Sequence, residues 1–335
     1  MSRVAGVDPG TVSFDVCVLD DGDVVAELEL PTADVGEDPG LLVDALVEHG
    51  PFALVLGPAG YGLPLVPVEQ VGDRELALML LVRADEPEGR VGVSGMRSIV
   101  RALIAAGLPL VFGPGAIHLP TIPAYRKWNR IDLGTADKVA SAALCIALQA
   151  SRLGVGFEET SFVMLELGGA FSAGLAVDGG RIVDGLGGSS GPIGARACGA
   201  MDAEVAYLLG PALSKRTVFS GGALDGSSEG LVALEEGAAK AALALTVSVR
   251  EPREILLTGR HAPGMLDGLA ARLAHVAPVR LAEGGKAAAH GAALLADGLA
   301  GGRYAPLVER MGVREASGTV LEHLRVDGAE TIRLR

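Results

Sequence analysis

The chain has few cysteines and no long hydrophobic run. Its three cysteines are Cys17, Cys145 and Cys198, and their spacing matches neither that of a metal-binding knuckle nor that of a redox-active pair. No apolar run approaches the roughly 20 residues that a membrane-spanning helix needs. No apolar signal region precedes the first acidic residue. We therefore expect a cytoplasmic protein with reduced, structural cysteines and no membrane partner.

Basic residues and several catalytic signatures are also scarce or missing. The chain has 28 Lys and Arg against 41 Asp and Glu, which gives a net charge of −13 at pH 7. Binding to a nucleic-acid backbone depends on clustered Lys and Arg, so we expect no nucleic-acid partner. The chain contains no GxxxxGK[ST], HExxH, CxxC or GxSxG motif. Any bound phosphate therefore requires another kind of turn.

The length and the alternation of element types indicate an α/β protein with two domains. A chain of 335 residues exceeds the size at which a single core usually stops growing. Short apolar strands, such as 53–56 and 108–112, alternate with helical patterns over 41–48 and 98–106. Hydrophobic residues at 49% and charged residues at 21% are typical of a globular protein.

The N-terminal stretch has a counterpart later in the chain. At an offset of 158 residues, the distance from Asp8 to Glu166, residues 7–25 align without gaps with residues 165–183. Each copy contains an acid, a turn glycine, a strand, a two-residue turn and a second strand. The matched pairs are Gly10 with Gly168, Asp20 with Asp178, Gly22 with Gly180, and Val24 with Ile182. The pattern predicts a duplicated β-hairpin that opens each half.

The first turn of each hairpin is suited to binding phosphate. Glycines present backbone N–H groups without a Cβ in the way, and hydroxyl groups add further donors. The first phosphate turn, residues 10–13, and the second, residues 168–172, would clamp a polyphosphate if they faced each other. Ordinary glycine-rich hairpins are the alternative, which the matched spacing disfavours. The candidate residues are Gly10, Thr11 and Ser13 in the first turn and Gly168, Gly169 and Ser172 in the second.

Three further features follow along the chain. An Ala-rich amphipathic segment from Thr135 to Arg152 predicts a helix that crosses between the halves, capped by Asp132 or Thr135. A glycine-rich run over 184–199 predicts a loop that moves or contacts a ligand. The remaining signals are a helix over 201–209, a strand over 254–259 that ends in Thr258-Gly259-Arg260, and Gly284-Gly285 before a second Ala-rich helix.

Together these motifs resemble the acetate and sugar kinase/Hsp70/actin (ASKHA) superfamily. The shared features are the Asp-x-Gly-Thr hairpin at Asp8, a second glycine-rich hairpin half a chain later, and a late strand followed by Thr258-Gly259. The resemblance covers most of the chain. It implies two duplicated RNase H-like domains in the actin-like ATPase fold, with a nucleotide cleft between them. We expect a phosphate-1 hairpin in domain 1–135, and a phosphate-2 hairpin and adenosine motif in domain 136–335.

Two segments carry a narrower resemblance. Residues 129–138, NRIDLGTADK, and 191–208, GPIGARACGAMDAEVAYL, are similar to DUF1464, a family described as predicted butyrate kinases. This implies an ATP- and Mg²⁺-dependent kinase with a nucleotide and a small-molecule acceptor, preferably a short-chain carboxylate. Apolar residues around Leu119, Ile122 and Pro123 would suit an aliphatic chain. A sugar kinase, a nucleotide-gated ATPase that acts on a protein partner, and a nucleotide-binding relic stay open, as does a homodimer.

Carried over by position, the resemblance assigns the metal and nucleotide residues. Asp8 and Glu166 would hold Mg²⁺ directly or through water, and the two phosphate turns would bind the terminal phosphates. Thr258, Gly259 and Arg260 would lie against the nucleoside. The superfamily commonly has Asp at the second acid, whereas Glu166 reaches one methylene further, which leaves the metal geometry open.

Arg196 is the candidate catalytic cation. The run GARACGAMD over 194–202 is similar to the Gly-x-Arg-x-Gly-x-x-Asp region of acetate kinases. A planar guanidinium at this position would stabilise the transferred phosphoryl group. The alternative is an ion pair between Arg196 and Asp202 or Glu204 that holds the loop shut.

Two acids complete the catalytic candidates. Asp132 would serve as general base if the acceptor were an alcohol, whereas a carboxylate acceptor needs no base. Asp137 and Lys138 are adjacent on a predicted helix and point in different directions, so we expect at most one of them to face the cleft. Helix capping and surface pairing are the alternatives for all three residues.

Overall fold

The structure of the chain is a computed structural model that describes residues 3–86, 93–224, 228–282 and 286–335. Gly284 and Gly285 lie outside the described residues. The strands are β1 (Arg3–Pro9), β2 (Ser13–Asp20), β3 (Asp23–Pro31), β4 (Leu54–Gly57), β5 (Val66–Pro67), β6 (Leu110–Phe112), β7 (Ser161–Leu167), β8 (Ser172–Asp178), β9 (Arg181–Leu186), β10 (Glu254–Thr258) and β11 (Val279–Leu281). The helices are α1 (Thr32–Glu37), α2 (Gly40–His49), α3 (Asp73–Leu80), α4 (Val93–Ala105), α5 (Ala124–Lys127), α6 (Ala136–Leu153), α7 (Ala203–Leu209), α8 (Lys215–Val218), α9 (Gly230–Leu245), α10 (Ala262–Leu273), α11 (Ala287–Leu299) and α12 (Ala305–Met311).

The strands form two sheets of matching topology. The first sheet has the order β3-β2-β1-β4-β6-β5, and the second, β11-β10-β7-β8-β9, has the same order read from its other edge. β1 and β7 each pair with an antiparallel hairpin strand on one side and a parallel strand on the other. β5 is an extra strand, antiparallel to β6. The predicted duplication is therefore confirmed.

The offset of 158 residues also relates the details of the two hairpins. The second turn of each hairpin has two residues with positive φ, Asp21 (50°) and Gly22 (84°) in one copy, Gly179 (56°) and Gly180 (68°) in the other. Positive φ at both central residues defines the type I′ turn, whose twist matches that of the flanking strands. Each hairpin also has one register shift, between positions 18 and 19 and between positions 176 and 177. The two copies therefore share a bulge at equivalent positions.

Two Ala-rich helices pack between the sheets. α6 packs on β7 and β8, whereas α11 packs on β1, β2 and β4 of the first sheet. The two helices also pack on each other, and a Cβ on Gly291 would lie 1.8 Å from the backbone oxygen of Ala140. One buried core includes Val4 and Leu19 from the first sheet together with Met164 from the second. α11 thus connects the second half to the sheet of the first half, whereas α6 packs on the strands that follow it in the chain. The division at residue 135 stays a prediction.

The outer faces of the sheets have separate cores. The core of the first sheet includes Phe14 and Phe112, and that of the second includes Leu165 and Leu257. Leu119 and Ile122 are 0% and 2% exposed within the shared core. The expectation that they line an acceptor pocket is wrong, because they are already packed against other core residues. Cys17, Cys145 and Cys198 are unpaired in the structure. None of the described helices is long and apolar enough to cross a membrane.

Candidate functional site

The site lies where the carboxyl ends of β1 and β7 meet the first turn of α6. Equivalent positions near these strand ends carry Asp8 and Glu166. α6 begins after Thr135, the N-cap residue, but no side chain caps the helix. The Thr135 hydroxyl donates instead to the carboxylate of Asp137. The expected capping by Asp132 or Thr135 is therefore wrong, because Asp137 competes for the hydroxyl group.

Lys138 is the centre of what we call the acid–lysine cluster: Asp8, Asp137, Lys138 and Glu166. Its ammonium lies 2.7 Å from Glu166 Oε1 and also donates to Asp137. The Ser141 hydroxyl donates to Glu166 Oε2 at 3.3 Å. The expectation that only one of Asp137 and Lys138 faces the cleft is wrong. Both lie in the first helical turn, and the long lysine side chain allows its ammonium to reach both carboxylates.

Negative charge exceeds positive charge in the acid–lysine cluster. Burial raises the pKa of Asp8 well above its ordinary value, and the carboxylates of Asp137 and Glu166 raise it further against the opposing effect of Lys138. Burial also raises the pKa of Glu166. Burial acts in the same direction on Asp137, but Lys138 and Thr135 hold its pKa below the ordinary value. Fully ionised, three carboxylates face one ammonium, so the cluster favours an additional cation.

The donor set fits Mg²⁺ held together with phosphate. Within the described ranges, no group of three or more His, Cys, Asp or Glu side chains is arranged to hold a metal alone. Mg²⁺, however, usually takes one or two carboxylates and completes its shell with water and substrate phosphates. The Asp8 carboxylate has no hydrogen-bond partner among the described residues, whereas Glu166 is shared with Lys138. Asp8 is therefore the more available oxygen ligand.

The two phosphate turns face each other. A Cβ on Gly169 of the second turn would lie 3.1 Å from Thr11 Oγ1 of the first turn and 3.9 Å from Arg260 Cδ. Both turns are tight, because a Cβ on Gly10 would lie 2.6 Å from the backbone oxygen of Ser13, and a Cβ on Gly168 would lie 3.0 Å from the backbone oxygen of Phe171, the equivalent residue. The structure thus brings both turns and Arg260 to one place.

Arg196 lies beside the second phosphate turn. Its Nε donates to the backbone oxygen of Gly169 at 3.1 Å, and its side chain is exposed. A Cβ on Gly222 would lie 2.3 Å from the Arg196 backbone, so close packing positions this loop. Asp202 instead accepts from the backbone N–H of Glu204 at 2.7 Å and caps α7. In the described part of the chain, Arg196 makes no ion pair with either acid.

Two candidate hydroxyl groups are buried without a partner among the residues that the structure describes, Ser172 Oγ and Thr258 Oγ1. Thr258 pairs with Glu166 across β10 and β7, and Gly259 follows it with φ of 90°. Ser172 pairs with Leu167 and therefore lies on the outer face of the sheet, opposite to Glu166. An unpaired buried hydroxyl costs about 1–3 kcal/mol, which a ligand contact would offset. Thr258 is the better placed of the two to gain such a contact, because it lies beside Glu166 whereas Ser172 lies on the opposite face.

Asp132 lies in a hydrogen-bonded linker. Its Oδ1 accepts from the Gly134 N–H at 3.0 Å, and its Oδ2 accepts from the N–H and the hydroxyl of Ser189 at 2.9 and 3.0 Å. Its backbone oxygen accepts from the N–H of Gly187 at 3.3 Å. Asp132 therefore connects the segment before α6 to the glycine-rich loop, which is a structural role.

Sequence reasoning missed Lys286, which precedes α11. Its ammonium lies 2.7 Å from Asp15 Oδ1 and 2.8 Å from Glu29 Oε2. These hydrogen bonds from Lys286 lower the pKa of Glu29, with a smaller contribution from Arg260 of the other half. Asp15 pairs directly with Asp8 in the sheet. Lys286, at the start of α11, therefore parallels Lys138 in the first turn of α6. A lysine near the start of each Ala-rich helix is the sequence signal that was available.

A family model described as protein of unknown function, DUF1464, matches residues 6–326. The chain belongs to the DUF1464 family. The predicted family resemblance is thus confirmed. No curated protein sequence matches this DUF1464 chain significantly.

Solved structures with the same fold include carboxylate kinases. The acetate kinase of Entamoeba histolytica matches with a TM-score of 0.59 and 11% identity, covering 87% of this chain and 98% of that one. The propionate kinase of Francisella tularensis matches with a TM-score of 0.59 and 13% identity, covering 87% and 99%. The acetate kinase of Porphyromonas gingivalis matches with a TM-score of 0.58 and 12% identity, covering 88% and 99%. The predicted actin-like ATPase fold is therefore confirmed.

Proposed function

We propose that this DUF1464 protein is an ATP-dependent phosphotransferase that uses Mg²⁺ to phosphorylate a short-chain carboxylate. The observation that carries the proposal is the approach of the two phosphate turns, Gly169 against Thr11, beside Arg196 and the acid–lysine cluster. Phosphoryl transfer requires little covalent chemistry. It requires the phosphates to be positioned and their charge to be neutralised.

Each part of the site has a task in this proposal. The two phosphate turns hold the terminal phosphates of ATP between backbone N–H groups, and Thr258, Gly259 and Arg260 lie towards the nucleoside. Asp8, with Glu166, holds Mg²⁺, which supplies positive charge to the β- and γ-phosphate oxygens. The exposed guanidinium of Arg196 is fixed through its Nε, and its remaining N–H groups, which have no partner among the described residues, would donate to the transferred phosphoryl group.

The hydrogen bonds of Asp132 and Asp137 favour a carboxylate acceptor over an alcohol. Both carboxylate oxygens of Asp132 already accept hydrogen bonds, and Asp137 accepts from Thr135 and Lys138. Neither group is therefore poised to remove a proton from a sugar hydroxyl. A carboxylate acceptor is anionic at neutral pH and needs no base. Structures of the same fold named as acetate and propionate kinases agree with this choice.

The test is ADP release from Mg-ATP by the purified protein, with and without a panel of short carboxylates and sugars. We expect ADP release that depends on a carboxylate and is lost in Arg196→Ala, while nucleotide affinity changes by only a few-fold. Arg250→Ala is the matched control. Arg250 is an exposed arginine before the amino end of β10, away from the carboxyl ends that form the site.

Other outcomes would select another function. Sugar-dependent ADP release would make the protein a sugar kinase. ADP release without an acceptor would favour a nucleotide-gated ATPase that acts on a protein partner. Nucleotide binding without turnover would indicate a protein that has kept the nucleotide site but lost the enzymatic activity. Unchanged kcat in Arg196→Ala would remove Arg196 from the mechanism.

A further inference from the structure

Tyr61 and Lys215 form a second polar contact between the two halves, and neither residue has a role in the binding of nucleotide or metal proposed above. Lys215 belongs to α8 in the second half, yet its ammonium contacts the first half. Nζ lies 3.3 Å from the Tyr61 hydroxyl oxygen and 3.4 Å from the backbone oxygen of Leu81. It also stands over the Tyr61 ring, 4.6 Å from the centroid. The Lys215 backbone N–H donates to Glu86 Oε1 at 2.8 Å, which anchors the residue at the junction.

The Lys215 ammonium has no counter-ion among the residues that the structure describes. Within the described part of the chain, no carboxylate lies within ion-pair distance of Nζ, and its contacts are a hydroxyl group, a carbonyl oxygen and an aromatic face. Burial lowers the pKa of Lys215 to about 8, although the more distant carboxylates of Asp132 and Glu86 act in the opposite direction. A partly buried cation without an anion is unusual, because buried charges are normally paired. An anionic ligand would supply the missing charge.

This pair lies next to the second phosphate turn. Phe219, the residue after α8, packs edge to face on Phe171 of that turn, with ring centroids 4.9 Å apart. A short path therefore connects the Tyr61–Lys215 pair to the turn expected to hold phosphate.

The backbone near this pair is held in an uncommon conformation. Leu81, the C-cap residue directly after α3, has φ of 52° and ψ of 53°, the left-handed region that bulky residues avoid. Its carbonyl oxygen is the one that contacts Lys215. The C-terminal tail braces the following residues, since the Ala84 N–H donates to the Arg333 oxygen at 2.9 Å and the Arg335 N–H donates to the Val82 oxygen at 3.1 Å. Such conformations concentrate at ligand-binding sites.

We propose that Lys215 and Tyr61 bind the carboxylate group of the phosphoryl acceptor. The ammonium supplies the counter-charge, and the Tyr61 hydroxyl donates a second hydrogen bond. The partly exposed rings of Phe171 and Phe219 offer an apolar wall to a short aliphatic chain, the role that was expected for Leu119 and Ile122. This inference rests on the proposed function and names the acceptor subsite of that reaction.

The first test measures ADP release against carboxylate concentration at saturating Mg-ATP. Lys215→Met keeps the length of the side chain and removes the charge. We expect it to raise the carboxylate KM about ten- to a hundredfold, the range of a charge-assisted hydrogen bond, with Mg-ADP affinity within about twofold of wild type. Tyr61→Phe should raise the KM by a smaller factor, about fivefold. Lys240→Met is the control, since Lys240 is 74% exposed and pairs with Glu236 on one face of α9.

The second test is independent of turnover. Propionate and butyrate are titrated calorimetrically into the full chain in the presence of Mg-ADP. Binding to wild type that is lost in Lys215→Met supports the subsite even if no ADP is released, in which case only the proposed kinase activity fails. An unchanged carboxylate KM and unchanged calorimetric affinity in Lys215→Met overturn the subsite while leaving the kinase in place. If Lys215→Met does not fold, the same criteria apply to Tyr61→Phe.

Discussion

Gly169 faces Thr11 so closely that a Cβ on the glycine would lie 3.1 Å from the threonine hydroxyl oxygen. The two residues belong to hairpins that begin 158 positions apart, at Arg3 and at Ser161. A separation this small leaves no room for a side chain between the two turns. The distance between the two phosphate turns therefore depends on Gly169 having no side chain.

Gly169→Ala should weaken nucleotide binding. The added methyl group pushes Thr11 aside or separates the turns by a few tenths of an ångström, and we expect the Mg-ADP dissociation constant to rise about tenfold, equivalent to about 1.4 kcal/mol. Gly264→Ala is the control, because a Cβ on Gly264 in α10 meets nothing within 4 Å. That variant should bind normally and be slightly more stable. Equal affinities for the two variants would show that the close approach is irrelevant to binding.

Asp8→Asn should stabilise the free protein while impairing its function. Burial and the nearby carboxylates of Asp137 and Glu166 disfavour the Asp8 charge, so removing that charge should raise the free energy of unfolding by on the order of 1 kcal/mol. The same substitution removes the available ligand for Mg²⁺. Thermal denaturation with and without Mg-ADP measures both effects. A variant with wild-type Mg²⁺-dependent stabilisation would mean that the metal lies elsewhere.

Asp132→Asn should lower stability rather than act on the chemical step. Its two oxygens accept from three donors, and an amide replaces one acceptor by a competing donor, which costs about 2 kcal/mol. Urea denaturation measures this loss, and Ser189→Ala should lose about 1 kcal/mol through the same contact. We expect kcat to stay within a few-fold in both variants. A kcat reduced by orders of magnitude at unchanged stability would instead identify Asp132 as the general base.

The carboxylate KM should rise as the pH increases through about 8. Burial lowers the pKa of Lys215 from 10.5 to about 8, although the negative charges of Asp132 and Glu86 act to raise it. The neighbouring Tyr61 hydroxyl is uncharged in this pH range. The folded protein therefore loses this proton before the unfolded chain does, and the stability contribution of the residue increases from pH 8 towards 10.5. The KM profile of Lys215→Met should lack the rise. A rise of equal size in that variant would assign it to another group.

Local features of the chain were predictable from sequence. The turn at Gly22 and its copy at Gly180 require positive φ, which favours glycine, and the alternation of small and apolar residues identifies β2 and β8. These patterns depend on neighbours within a few positions, so the sequence alone identifies each hairpin and its phosphate turn. The duplication and the family resemblance then follow from the repetition of the same pattern 158 residues later. α6 was expected over 135–152 and spans Ala136–Leu153, ending where Gly154 adopts φ of 64°.

The tertiary structure decided which side chains meet. Lys138 bonds to Glu166 because α6 packs on β7, and Lys286 bonds to Asp15 because α11 returns to the first sheet. Tyr61 and Lys215 lie 154 positions apart. Such contacts have no period or spacing in sequence, since they depend on how elements far apart in the chain pack on each other. The sequence by itself therefore determined the two hairpins and the turns suited to phosphate, whereas only the packing of α6 and α11 between the two sheets and the contact of α8 with the first half created the charged cluster and the junction between the halves.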